Sequence, residues 1–253
     1  MGAATFPSSQ GLAILVIDLQ WDFVEGGALE VPGADSGYRR QVLLNLQQLH
    51  KAGCLLLASR DDHPKAHDSF ASSHPGKKPF EIVQNSLGEP KTLWPDHCVK
   101  GSRGSELVVD PDFFLQIFSK GQKIHSEGFS AFGEEGESES ELESVLRVHQ
   151  ISTLVIFGLA IEYCVKRTCL DARRRGYQVI FVEGLSRGLS LSGILESLSV
   201  MKAAGVTCVK ELLESGLVGK STDSVRVPTG RIVENPDRAE HSHQRENRKI
   251  QRD

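Results

Sequence analysis

A basic excess, long apolar runs and paired cysteines are all missing from this 253-residue chain. Lys and Arg number 29 against 33 Asp and Glu, a formal net charge of −4. No cationic field exists to hold a phosphate backbone, which argues against nucleic-acid binding. No apolar stretch approaches the roughly 20 residues of a membrane span. The first residues, MGAATFPSSQ, lack the charged start and apolar centre of a signal peptide, so neither a membrane partner nor export is expected. The five cysteines, Cys54, Cys98, Cys164, Cys169 and Cys208, are odd in number and form no CxxC pair. That argues against a disulfide scaffold or thiolate zinc site and for reduced thiols in a cytoplasmic protein. Aromatic residues are scarce, at 6%, so those beside polar candidates carry information.

What is present is an ordinary globular mix, 39% hydrophobic and 25% charged. Its length suffices to bury about 70% of the unfolded surface in a core. Short apolar runs without alternation recur at 12–18 (LAILVID), 54–59, 153–158, 177–183 and 205–210, with a weaker one at 123–126 (KIHS). Such runs suit parallel strands covered on both faces. Helical patterns lie between them at 36–52, 140–149, 163–175 and 190–204, and Gly53, Gly176 and Gly205 end three of these just before a strand. The alternation predicts a three-layer, doubly wound, mostly parallel α/β domain over residues 10–215. Residues 133–143 are acidic and predict a solvated loop leading into a helix, and 218–253 predict a disordered tail.

In such sheets ligands bind beyond the carboxyl ends of the strands. The polar candidates cluster there. Cys164 follows a strand at the start of a helix, where free N–H groups lower a thiol pKa and can hold an oxyanion; the bland alternative is a packed core thiol. Asp18 ends the first strand, where a buried carboxylate must be paired or used, as a base or as a cap, and Asp22 is another candidate cap. Asp61, His63 and His67 lie within DDHPKAH, and His97 within LWPDHC. Two imidazoles and a carboxylate suit a divalent transition metal with open positions, against the alternative of scattered histidines. Phe23 and Trp94 could sandwich a flat ring or form the edge of the core.

Four segments in order, VIDLQWDFVEGGAL, SRDDHPKAHDSF, TLWPDHCVKGSRGSEL and GLAIEYCVKRTCLDARRRGY, resemble the nicotinamidase branch of the isochorismatase-like cysteine hydrolases across roughly residues 11–210. The resemblance implies a metal-dependent hydrolysis of nicotinamide to nicotinic acid and ammonia in NAD salvage. Cys164 would be the nucleophile and Asp18 the base. Asp61, His63 and His97 would hold one divalent ion, zinc ahead of iron, with His67 beside them. Phe23, Trp94, Leu159, Ala160 and Tyr163 would bind substrate, with a cis Leu159–Ala160 peptide and an oxyanion hole from the Ala160 and Cys164 amides. A homo-oligomer stays open.

The family's third catalytic residue is a lysine directly before a glycine, after the third strand. With KIHS as that strand, Glu127 stands before Gly128 in KIHSEGFSAF, and Lys123 lies four residues earlier, about 13 Å along an extended chain. Glutamate beside Asp18 would raise the thiol pKa. This departure sets two rivals beside the nicotinamidase reading: a catalytically impaired nicotinamide-binding relative, and an amidase with another substrate.

Overall fold

The computed structural model describes residues 11–85, 88–133 and 140–212. The expected tail at 218–253, the first ten residues and most of the acidic stretch lie outside the described residues.

Six strands form one parallel sheet: β1 (Leu12–Ile17), β2 (Leu55–Asp61), β5 (Gln116–Lys120), β6 (Thr153–Gly158), β7 (Gln178–Val182) and β8 (Thr207–Val209). Their order is β5-β2-β1-β6-β7-β8. A separate antiparallel hairpin pairs β3 (Ile82–Gln84) with β4 (Pro90–Thr92). The helices are α1 (Ser36–Lys51), α2 (Glu141–Val148), α3 (Lys166–Arg174) and α4 (Leu191–Ala203). None among the described residues is long and apolar enough to cross a membrane.

The local reasons for these elements are visible in the caps. Asp35 accepts a hydrogen bond from the Tyr38 N–H at the start of α1, and Ser140 with Glu143 forms a reciprocal capping box on α2. Gly53, Gly176 and Gly205 all take positive φ after α1, α3 and α4. At each, paired bonds such as Gly53 N–H to His50 O and Cys54 N–H to Leu49 O close a Schellman turn and aim the chain into the next strand.

Residues of β1 divide by parity between two cores. Ile14 and Val16 pack with Tyr38, Val42, Leu46 and Leu49 of α1 on one face. Ala13, Leu15 and Ile17 pack with Leu142 and Leu146 of α2, Cys169 of α3 and Met201 of α4 on the other. This is the expected three-layer arrangement. Each such fully buried aliphatic side chain contributes about 1.5–3 kcal/mol of transfer free energy.

The third strand of the sheet lies upstream of the expected KIHS segment. Residues 123–126 form turns, and the strand is Gln116–Lys120. It pairs only with β2, at the sheet edge, and its residues alternate between partial and full burial. An edge strand half covered by protein needs no continuous apolar run, so QIFSK did not stand out as the inner strands did.

Candidate active site

The winding direction reverses at β1, which has β2 on one side and β6 on the other. The carboxyl ends of these strands and of β5 deliver the site residues to that crevice. Asp18 follows β1, with a left-handed φ of 49° that turns the chain sharply at the strand end. Asp61 ends β2 and Lys120 ends β5, paired in register.

Cys164 follows β6 on a single π turn, Ile161–Val165, ahead of α3. The wider turn is closed by Val165 N–H donating to Ala160 O. π turns of this kind are frequent at functional sites. The expected plain helix start is thus one residue wider. The Leu159–Ala160 peptide just before it is cis. Glu162 on the same turn accepts from the Leu189 and Ser190 N–H groups at 3.0 and 2.8 Å, anchoring it to the start of α4.

Four buried groups meet. Lys120 Nζ lies 2.9 Å from Asp18 Oδ2, 2.6 Å from Asp61 Oδ1 and 3.2 Å from Cys164 Sγ. Asp18 Oδ1 accepts from Ser59 Oγ at 2.7 Å. Carboxylate oxygens of Asp18 and Asp61 and the Cys164 sulfur lie within 4.8 Å of one another. Lys120 is the residue the sequence reading missed. Its signal was present, because Lys120-Gly121 is a lysine directly before a glycine after the third strand, once that strand is placed correctly.

The reason for glycine is steric. Gly121 has φ of 65° and Gly128 φ of 60°. A Cβ on Gly121 would strike the His63 ring, and one on Gly128 would strike the Gly121 backbone. The two glycines pack on each other, and with KIHS taken as the strand only Glu127-Gly128 fits the motif. Glu127 lies instead 3.3 Å from Lys91 Nζ and lines the pocket away from the lysine position. Lys123 does not take the lysine's place either, since Lys120 fills it.

Burial and charge set the proton affinities. Burial raises Asp18 to about 6, with Asp61 adding to the rise and Lys120 opposing it. Burial also acts to raise Asp61, but Lys120 and the nearby His63 outweigh it and hold that carboxyl below the usual range. Burial pushes the Cys164 thiol well up, against the pull of Lys120. The resting state is therefore a thiol beside an ammonium held between two acids. Burial works against the Lys120 ammonium, yet Asp18 and Asp61 keep its pKa well above the ordinary value.

A second cluster adjoins the first through Asp61. Donor atoms of Asp61, His63 and His97 all lie within 4.8 Å of one another and are buried. His63 Nδ1 lies 2.8 Å from Gly121 O, and His97 Nδ1 lies 2.8 Å from Pro95 O. With each Nδ1–H donating to a carbonyl, the two Nε2 lone pairs are left for a ligand. Burial and the neighbouring His63 lower His97 to about 4, which keeps its imidazole neutral and ligating at neutral pH. The buried N,N,O set suits a divalent transition metal.

His67 stacks beside His63 with ring centroids 4.3 Å apart, but its Nδ1 contacts Ser69 Oγ and its Nε2 contacts Ser126 O. Both ring nitrogens are committed, and His67 stands outside the donor set. Asp22 caps rather than reacts: its carboxylate accepts from the Cys98 and Ala28 N–H groups, fixing the loop that carries His97.

Both clusters open on a cavity lined by Phe23, Trp94, Ala160, Tyr163 and Cys164 among the expected residues. A concave, largely apolar lining with a few convergent polar groups suits a small-molecule ligand. Trp94 and Tyr163 meet edge to face at 5.1 Å. Leu159 is fully buried and is absent from the lining. The sequence reading missed Leu29, Val31, Phe129 and Leu189, whose apolar side chains complete the walls. None of these four stands beside a polar candidate in the sequence, and only the fold brings them together.

The isochorismatase domain pattern matches residues 12–211. The chain is 38% identical over 200 residues to a nicotinamidase of Escherichia coli, covering 77% of this chain and 92% of that protein. Its fold is similar to the crystal structure of the Pyrococcus horikoshii pyrazinamidase in complex with zinc, with TM-score 0.66, 32% identity, and coverage of 79% of this chain and 99% of that one. It is also similar to the yeast nicotinamidase bound to the inhibitor nicotinaldehyde, with TM-score 0.72, 28% identity, and coverage of 79% and 100%.

Proposed function

The chain belongs to the isochorismatase family, and on that premise we propose that it is a metal-dependent nicotinamidase, hydrolysing nicotinamide to nicotinic acid and ammonia in NAD salvage. The observation that carries the reading is the Asp18–Lys120–Cys164 contact set beside an aromatic-lined cavity. The rival reading of an impaired binding protein rested on a missing lysine, and Lys120 removes its motive. Five free thiols support a cytoplasmic setting.

Phe23, Trp94 and Tyr163 hold the pyridine ring and exclude water from it. A divalent ion on Asp61, His63 and His97, zinc ahead of iron, supplies a Lewis-acid anchor for the ring nitrogen when bound.

Asp18, with its pKa near 6, takes the Cys164 proton as the sulfur attacks the carboxamide carbon. The Lys120 ammonium, 3.2 Å from the sulfur, offsets the charge that develops there. The Ala160 and Cys164 N–H groups hold the tetrahedral oxyanion. Asp18 then returns the proton to the amide nitrogen, the C–N bond breaks, and ammonia leaves a thioester. Water, deprotonated by Asp18, attacks the thioester and releases the acid and the thiol.

The test is ammonia release from nicotinamide by purified, metal-loaded protein. Wild type should turn over, and Cys164→Ala should retain the fold with no activity. Absence of turnover on nicotinamide, or an active Cys164→Ala protein, contradicts the reading.

A further inference from the structure

Gln20 lies two residues after Asp18, is fully buried, and has no part in the chemistry described above. Its side-chain amide makes three hydrogen bonds. Oε1 accepts from the Asp61 N–H at 2.8 Å, and Nε2 donates to Asp61 O at 2.8 Å and to Ser105 O at 2.9 Å.

The backbone explains the need. Parallel pairing of β1 with β2 ends where Asp18 N–H donates to Ser59 O, because the left-handed turn at Asp18 takes the chain out of the sheet. Asp61, two residues beyond Ser59, points its own N–H and C=O to that same side. With β1 gone, both would be orphaned in the interior, and a buried amide left without a partner carries its full desolvation penalty. The Gln20 amide stands in for the missing strand and pairs with both.

The residue so held is the one shared by the two clusters. Asp61 Oδ1 faces Lys120 Nζ at 2.6 Å, while Oδ2 lies 3.7 Å from His63 Nε2. The second Nε2 hydrogen reaches Ser105, on the chain that continues from His97. One amide thus ties together the strand end that carries Asp61, the turn that carries Asp18 and the loop behind His97.

We infer that Gln20 is a positioning residue that sets the Asp61 carboxylate for metal binding. The inference rests on the metal site of the proposed function, and it concerns affinity rather than turnover. Without the Gln20 amide, the Asp61 peptide must rotate toward another partner, and its carboxylate leaves the register set by His63 and His97. Supporting partners of metal ligands typically change affinity by about 10–100-fold.

The test is the zinc dissociation constant of the full chain, measured by competition with a chromogenic chelator. Wild type and His97→Ala establish the site, and failure of wild type to bind zinc, or unchanged binding by His97→Ala, defeats the metal reading itself. Gln20→Leu removes all three bonds and Gln20→Glu removes the two donated ones while keeping the size. Each should weaken zinc binding at least about tenfold. Leu142→Ala, a core truncation in α2, should lower the melting temperature and leave the constant unchanged. Zinc binding by either folded Gln20 variant within twofold of wild type overturns the inference. Should neither variant fold, Gln20 serves the fold as a whole and the inference is likewise overturned.

Discussion

Replacing Lys120 with Met probes the charge balance at the heart of the site. The substitution keeps an unbranched apolar stem and deletes the ammonium that touches Asp18, Asp61 and Cys164 at 2.9, 2.6 and 3.2 Å. Two unit charges 3.2 Å apart interact by about 5 kcal/mol at an effective dielectric near 20. Only the part of that interaction present when the sulfur is charged bears on rate. Even four-fifths of it amounts to about 4 kcal/mol, roughly a thousandfold. A second loss adds to the first. Lys120 is the group that opposes the rise of Asp18 by burial. Without it Asp18 moves above about 6, carries its own proton over more of the neutral range, and accepts the thiol proton less readily. Ammonia release from nicotinamide should therefore fall at least about a thousandfold in kcat/KM. Alkylation of Cys164 by iodoacetamide should slow at neutral pH and recover only at higher pH. Lys123→Ala should keep activity within about twofold. A Lys120→Met protein within tenfold of wild type, or an inactive Lys123→Ala protein, would refute the assignment.

The pH profile of kcat/KM follows from Asp18 acting as a base with its pKa raised to about 6. As pH falls below about 6 the carboxylate takes a proton, and the rate should drop about tenfold per pH unit, with Ser59, Lys120, Asp61 and Cys164 as its charged or polar neighbours; an acid limb beginning near pH 4 would contradict the base assignment. Gly121→Ala forces a side chain into the left-handed region and against the His63 ring. The backbone alone should cost about 1–3 kcal/mol, read as a lower melting temperature, and zinc binding should weaken with it. Trp94→Ala removes a wall of the cavity and the edge-to-face contact with Tyr163, so KM for nicotinamide should rise more than kcat falls, and an unchanged KM would exclude ring recognition by Trp94.

The inner strands, the four helices and most of the polar site residues could be read from the chain because their physical signals are local. LAILVID and TLVIFG are covered on both faces and carry no alternation, and the glycines after α1, α3 and α4 mark left-handed turns. The ordering of SRDDHPKAHDSF and TLWPDHCVKGSRGSEL carried the metal donors by resemblance, with the structure then bringing Asp61, His63 and His97 together. Lys120 was missed because β5 is an edge strand with a mixed pattern, so KIHS was taken as the third strand and Gly128 rather than Gly121 as the glycine of the motif. Gln20 carried no local signal at all. Its role depends on β1 ending two residues before β2 does, a fact of sheet geometry. His67 illustrates the converse, a histidine of suitable spacing whose ring nitrogens are both spent on Ser69 and Ser126.

The covalent step can be observed directly. Metal-loaded wild type mixed with excess nicotinamide, quenched in acid within the first turnovers and digested, should yield a Cys164 peptide heavier by one nicotinoyl group less the thiol proton, with none on Cys54, Cys98, Cys169 or Cys208. Lys120→Met should show far less of this adduct on the same timescale. Steady ammonia release with Cys164 never acylated, or acylation of another cysteine, would contradict the account.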